Sequence, residues 1–240
     1  MSETISPFLA PRISVERQAA SLGAAADLAR GLELLGEAKA GRQGALLRLY
    51  RPEPTVAFGQ RDAHLPGFAA ASQAAAAHGF EPLVRKAGGR AAAYHHGCLI
   101  LDHIQPQPDA MVQAKGRFGF FGELLAAALA GVGVDAAVGE IPGEYCPGEY
   151  SVHGTGAGTR VKLVGTAQRV VSGAWLFSSV VVVEDSAPLR AVLTDCYAAL
   201  GLDWDPATAG AADDLVPGVT VDAVERAVLD AYAPYADLVE

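Results

Sequence analysis

Tyr150-Ser151-Val152-His153, the glycine-rich Gly154-Thr155-Gly156-Ala157-Gly158, then Arg160-Val161-Lys162-Leu163-Val164-Gly165-Thr166-Ala167-Gln168-Arg169, Ser172-Gly173 and Ala174–Glu184 follow one another along the chain. Three short apolar or alternating runs separated by glycine turns predict an antiparallel meander. A dinucleotide loop has glycines like those of 154–158, but it must follow a strand and open a helix. Here β-like sequence follows, so the segment reads as a hairpin turn.

Upstream, the pattern alternates between helix and strand. From Ser14 to about Gly36, Leu22, Leu28, Leu32 and Leu35 among alanines suit one helical stripe. Ala45–Tyr50 and Thr55–Phe58 read as two strands, because Arg51-Pro52-Glu53-Pro54 cannot continue a helix or an inner strand. Phe68–His78 predicts a helix closed by Gly79, and Leu83–Lys86 predicts a strand running into Ala87-Gly88-Gly89. Ala91–Ile104 reads as one further strand and Phe118–Leu129 as a helix. Ala187–Leu200 and Val221–Tyr232 predict two closing helices, and the polar stretch Gly201–Gly218 reads as a loop able to hang off the body. These elements make one α+β domain with a mixed or antiparallel β-sheet flanked by helices.

Composition narrows the function. The chain has 240 residues, 51% of them apolar, enough to bury a sizeable core. Its longest apolar stretches, Leu124–Val134 and Ala174–Val183, fall short of the roughly 18 residues that a membrane-spanning helix requires, and Met1–Arg12 has no signal-peptide pattern. Three cysteines without a CxxC pair suit a reducing, cytoplasmic setting. The net charge of −9 is concentrated in Gly201–Glu240, where nine acidic residues face only Arg226. The remainder is nearly neutral and lacks the continuous basic footprint of a nucleic-acid binder. Arg85, Lys86, Arg90, Lys115 and Arg117 form a local basic cluster, which reads equally as a solvated face or as a docking side.

Sequences for P-loop and α/β-hydrolase chemistry are absent. No His/Cys group has metal-ligand spacing, so no metal is expected, and adjacent His95 and His96 would point to opposite faces of a strand. Arg85-Lys86-Ala87-Gly88-Gly89-Arg90 offers cations beside paired glycines, either to admit a carbonyl or anion close to the backbone or simply to bend a strand. Pro142-Gly143-Glu144-Tyr145-Cys146-Pro147-Gly148-Glu149 places Cys146 on a loop, and Pro147 biases it toward extended backbone. Glu144 and Glu149 oppose a thiolate there, so a nucleophilic Cys146 needs a cation from elsewhere. Lys162, 16 residues on, is the leading candidate. A buried inert thiol and a water-facing lysine are the ordinary alternatives, and Cys98 and Cys196 read as core thiols.

Four motifs now stand in order: Pro54-Thr55-Val56-Ala57-Phe58-Gly59-Gln60, Val84–Ala91, Gly143–Gly148 and Val161–Arg169. Together they resemble the lipoate- and octanoate-handling members of the biotin and lipoate protein ligase superfamily, from about Ala45 to Val183. The Tyr-Cys-Pro-Gly loop ahead of Lys-x-x-Gly-x-x-Gln-Arg is most similar to cysteine-dependent octanoyl-glycine-cleavage-H-protein amidotransferases. The resemblance implies an α+β fold like that of class II aminoacyl-tRNA synthetases, with 1–240 as a single catalytic domain and 201–240 as an acidic helical C-terminal segment. It further implies that Cys146 and Lys162 are catalytic, with Lys162 facing the acyl carbonyl, and that Arg85, Gly88, Gly89, Arg90, Gly165, Thr166, Ala167 and Gln168 hold the acyl group. Val84, Ala92 and Val164 are expected to line its chain.

The expected reaction passes an octanoyl or lipoyl group between lipoyl-domain lysines through a cysteine thioester, without cofactor. The partners it implies are lipoyl-domain proteins such as glycine-cleavage H protein and 2-oxoacid dehydrogenase E2 subunits, and neither nucleic acid nor membrane is expected. Docking is expected on the Arg85–Arg117 side. His95 stands where an acidic residue is usual in the family, Cys98 where ligases often have asparagine, and Arg90 where they have a third glycine. An ATP-dependent lipoate-protein ligase and a non-catalytic acyl- or lipoyl-domain-binding module are therefore the alternatives.

Overall fold

The computed structural model describes residues 7–156 and 158–240, so Met1–Ser6 of the N-terminal reading and Ala157 of the glycine turn lie outside the described residues. In chain order the elements are β1 (Arg12–Arg17), α1 (Ala24–Lys39), β2 (Leu46–Tyr50), β3 (Thr55–Phe58), α2 (Phe68–Ala77), β4 (Glu81–Val84), β5 (Ala92–Tyr94) and β6 (Cys98–Pro106). There follow α3 (Ala114–Gly131), β7 (Asp135–Val138), β8 (Val152–Gly156), β9 (Thr159–Val171), β10 (Ala174–Val182), α4 (Ser186–Leu200), α5 (Ala212–Leu215), α6 (Val221–Tyr232) and β11 (Asp237–Val239).

The meander forms as expected, β8, β9 and β10 pairing antiparallel toward one edge of an eight-stranded mixed sheet ordered β11-β1-β2-β6-β10-β9-β8-β7. Strands β4, β3 and β5 make a second, three-stranded sheet. Ala91–Ile104 is therefore not one strand. The turn His95-His96-Gly97 breaks it, sending β5 to the small sheet and β6 to the large one. Buried His95 secures that turn, its Nδ1 accepting from Gly97 N–H at 2.8 Å and its Nε2 lying 2.9 Å from the Asp185 carbonyl. Exposed His96 points to solvent.

The helix expected from Ser14 begins only at Ala24. Arg12-Ile13-Ser14-Val15 alternates with period two and pairs in parallel with β2 and β11, while Leu22 is 55% exposed and outside the buried stripe. Helix α1 buries Gly31, Leu34, Leu35 and Ala38. Buried Arg48 of β2 anchors it, reaching Asp27 of α1 and Asp102 of β6. An ion held this far from water is stable only because each side is paired.

One sheet face carries the main core under α3 and α6, where Phe121, Trp175 and Phe177 pack. A second apolar cluster joins the three-stranded sheet, α2 and α4 around Phe58, Tyr94, Leu193 and Tyr197. Cys98 and Cys196 belong to it, so Cys98 is a packing residue. The stretch 201–218 does not hang free. Ala209, Ala211 and Ala212 are buried, and Ala209 bridges to Lys162 on β9. Among the described residues no helix is long and apolar enough to cross a membrane.

Candidate active site

The site lies where the loop between β7 and β8 meets the glycine turn between β4 and β5. Proline and glycine keep residues 142–148 out of regular structure, so their backbone polar groups need side-chain partners. Glu144 supplies several. Its carboxylate accepts from Ile141 N–H at 3.0 Å, Gly148 N–H at 3.2 Å, the Ser151 hydroxyl, and Lys162 Nζ at 2.8 Å. Glu144 therefore does not oppose a thiolate as expected. Its charge is turned inward onto a buried ammonium. Glu149 is exposed, 3.6 Å from Lys115.

Cys146 is half-buried and has φ of 43°, in the left-handed region, rather than the extended backbone expected before proline. Non-glycine residues take up this conformation only where surrounding contacts over-determine it. Three contacts do so. The Tyr197 hydroxyl accepts from Cys146 N–H at 2.8 Å, Lys162 Nζ donates to the Cys146 carbonyl at 2.7 Å, and Arg90 N–H donates to Sγ at 3.1 Å.

The sulfur's second donor is Arg85 Nη2, at 3.7 Å. The same guanidinium donates to the carbonyls of Ala57, Gly88 and Arg90, tying the glycine turn to β3. Arg85, not Lys162, is thus the cation that meets the sulfur. Lys162 lies on β9 with 2% exposure, and its Nζ donates to Glu144, to the Tyr145 carbonyl at 3.0 Å and to the Cys146 carbonyl. An ammonium has three protons, and buried here it gives each to an acceptor.

Glycine is required at one point of the turn and at one position packed against it. A Cβ on Gly89, whose φ is 101°, would lie 2.8 Å from Cys146 Sγ and 2.4 Å from Arg85 Nη2. A Cβ on Gly59 would lie 1.9 Å from the Gly89 carbonyl oxygen. Gly88 is open, with nothing within 4 Å. The Arg90 side chain leaves the sulfur and pairs with fully buried Asp62 at 2.9 Å, while Asp62 also accepts from Gly59 N–H at 2.8 Å.

The β9 residues divide. A Cβ on Gly165 would lie 3.9 Å from Lys162 Cε, so this position shares the lysine's face. Strand alternation puts Ala167 on that face as well, and exposed Arg169 donates to the Lys86 carbonyl at 3.2 Å. Thr166 and Gln168 alternate to the other face. Gln168 is not brought to the sulfur: its amide donates to the Ala114 carbonyl and accepts from Arg117 Nε, which fastens α3 to β9. Arg117 itself is fully buried over the Trp175 ring, so it offers no docking charge. Val84, Ala92 and Val164 line no common channel. Val84 is 45% exposed, Ala92 packs on the second cluster and Val164 belongs to the main core.

Tyr197 and Asp62 were not legible as site residues. The one sequence signal was for Asp62, three residues past Gly59; α4 gives none for Tyr197.

A cysteine held between two loops, on a mixed sheet backed by helices, defines the class, and the family model of the lipoyl protein ligase A/B catalytic domain matches residues 24–233. The chain belongs to that family. An octanoyl-GcvH:protein N-octanoyltransferase of Geobacillus kaustophilus is 32% identical over 180 residues, 75% of this chain and 62% of that protein. One of the same name from Exiguobacterium sibiricum is 31% identical over 159 residues, 65% of this chain and 56% of that protein. The chain thus spans about three-fifths of these relatives' length. The crystal structure of a lipoate-protein ligase A bound with ATP shares the fold, with a TM-score of 0.69 at 18% identity, covering 97% of this chain and 90% of that one.

Proposed function

We propose that the chain is an acyltransferase that moves an octanoyl or lipoyl group between lipoyl-domain lysines through a thioester on Cys146. The carrying observation is the setting of the sulfur, half-buried on a left-handed residue with Arg90 N–H at 3.1 Å and Arg85 Nη2 at 3.7 Å. The names of the curated relatives support octanoyl as the group and a GcvH-type protein as its donor. Glycine-cleavage H protein and 2-oxoacid dehydrogenase E2 subunits are the proposed partners. Residues 1–240 act as a single catalytic domain in the cytoplasm, with 201–240 as its acidic C-terminal segment.

In the first half-reaction the Cys146 thiolate attacks the carbonyl carbon of an acyl-lysine amide. A C–S bond forms and the carbonyl π electrons move onto oxygen. As the sulfur loses its charge, Arg90 N–H and the Arg85 guanidinium are the nearest donors for that oxygen. Collapse breaks the C–N bond, and the leaving amine takes up the proton that the thiol gave up. In the second half-reaction the neutral amine of the acceptor lysine attacks the thioester, a C–N bond forms, the C–S bond breaks, and the proton the amine gives up restores the thiol on Cys146. Donor and product bonds are both amides, so the exchange needs no ATP. Lys162 holds the Cys146 carbonyl throughout.

The test is intact-protein mass spectrometry after mixing the chain with octanoylated H protein without ATP, alongside Cys146→Ala. An octanoyl adduct confined to the wild type and discharged by hydroxylamine is the expected result. Acceptor modification at an undiminished rate by Cys146→Ala, dependent on octanoate, ATP and Mg²⁺, would instead mark a ligase. No turnover in either assay would mark a binding module.

A further inference from the structure

The left-handed backbone of Cys146 requires restraint on both sides, and the restraint on its amide comes from α4, an element outside the glycine turn and the meander. The Tyr197 hydroxyl accepts from Cys146 N–H at 2.8 Å and donates to the Ala91 carbonyl at 3.0 Å. One hydroxyl thus joins the cysteine loop to the residue that follows Arg90, whose N–H holds the sulfur. The ring is 2% exposed and packs against Trp204, with centroids 5.6 Å apart. Burial also pushes its ionisation well above the usual phenol range, so the hydroxyl keeps the proton it donates.

We infer that Tyr197 is a positioning residue for Cys146: it occupies the amide of the nucleophile and fixes the distance between Sγ and Arg90 N–H. Its hydroxyl is committed to the Cys146 amide and the Ala91 carbonyl and not to the sulfur. A consequence is that Cys146 N–H, committed to Tyr197, is not an oxyanion donor, so that task rests on donors of the glycine turn. A misplacement of about 1 Å at a reacting atom can cost on the order of a hundredfold in rate, and a hydroxyl bridging two loops sets such a distance. This inference rests on the acyl-transfer reading for its rate prediction, though not for its structural one.

The experiment compares Tyr197→Phe with Tyr232→Phe. The latter also removes a buried hydroxyl, but one that meets His103 in the main core. In single-turnover acylation by octanoylated H protein, Tyr197→Phe is expected to lower the rate of thioester formation roughly fivefold or more, the scale of one lost hydrogen bond. The half-saturating donor concentration and the final thioester amplitude stay unchanged, whereas a merely unfolded fraction lowers the amplitude. Tyr232→Phe leaves all three unchanged. Alkylation of Cys146 by iodoacetamide needs no acyl donor. Tyr197→Phe is expected to react more slowly than wild type at pH 7. Alkylation as fast as, or faster than, wild type at pH 7 overturns the inference.

Should wild-type Cys146 alkylate but form no thioester, the acyl-transfer reading fails while the alkylation comparison still decides on Tyr197. Hydrogen exchange on the wild-type chain covers the case of a variant that does not fold. The Cys146 amide is expected to be protected although it lies in a loop, and exchange at the free-peptide rate would overturn the inference.

Discussion

Lys162 Nζ lies 2.8 Å from Glu144 Oε1, with the lysine side chain 2% and the glutamate side chain 0% exposed. The pair crosses from β9 to the cysteine loop and turns a loop of prolines and glycines into a fixed support for Cys146. Removing one member of a buried ion pair leaves the other charge unpaired, at a cost of about 3–5 kcal/mol. Glu144→Gln and Lys162→Met are each expected to lower stability by that order, while the double variant recovers part of the loss because no lone charge remains. Urea unfolding of the four proteins measures this, and additive losses would contradict it.

Gly89 and Gly88 are neighbours with opposite expectations. At Gly89 an added methyl meets Sγ and the Arg85 guanidinium and must take a φ of 101°, whereas at Gly88 it meets nothing within 4 Å. Gly89→Ala is expected to slow thioester formation by at least tenfold and to cost about 1–2 kcal/mol of backbone strain. Gly88→Ala stays within about twofold of wild type, a change below the ~0.5 kcal/mol usual for substitutions away from such features. Equal loss in both variants, read by single-turnover acylation, would refute the steric argument.

Selective alkylation follows from burial. Cys98 and Cys196 are fully buried, and burial pushes their thiols up to about 12 and about 11. Only Cys146 is partly open and beside donors. Brief treatment of the native chain with iodoacetamide at neutral pH is expected to add one label, mapped by peptide mass to Cys146, and three labels after denaturation. Native labelling of Cys98 or Cys196 would contradict the core assignment.

His103 predicts acid sensitivity. Enclosed by Trp175, Phe121 and Tyr232, its ring is pulled by burial from 6.5 down to about 3 and is neutral in the fold. In the unfolded chain it takes up a proton below pH 6.5. Its contribution to stability is therefore complete above that pH and is lost as pH falls from 6.5 toward 3, by about 1.4 kcal/mol per pH unit. Urea midpoints between pH 7 and 4.5 are expected to fall less steeply for His103→Phe than for wild type. Parallel slopes would show that the ring protonates within the fold.

Local chemistry was enough for much of this protein. Alternation and glycine turns in Tyr150–Glu184 encode the meander, and Pro142–Gly148 can form only a loop, so both are legible from neighbouring residues. The Leu83–Arg90 turn and the placing of Cys146 on a loop are legible for the same reason. What the tertiary structure decided is what each side chain meets. The sulfur's donors are 56 and 61 residues away and its amide's partner is 51 residues away, separations at which no periodicity carries information. Lys162 was readable as a strand lysine, but whether it reached sulfur or carbonyl depended on where Glu144 turned. The split of Ala91–Ile104 between two sheets, the inward burial of Arg117 and the packing of Thr208–Ala212 were settled likewise, since burial belongs to the assembled layers and not to any single segment.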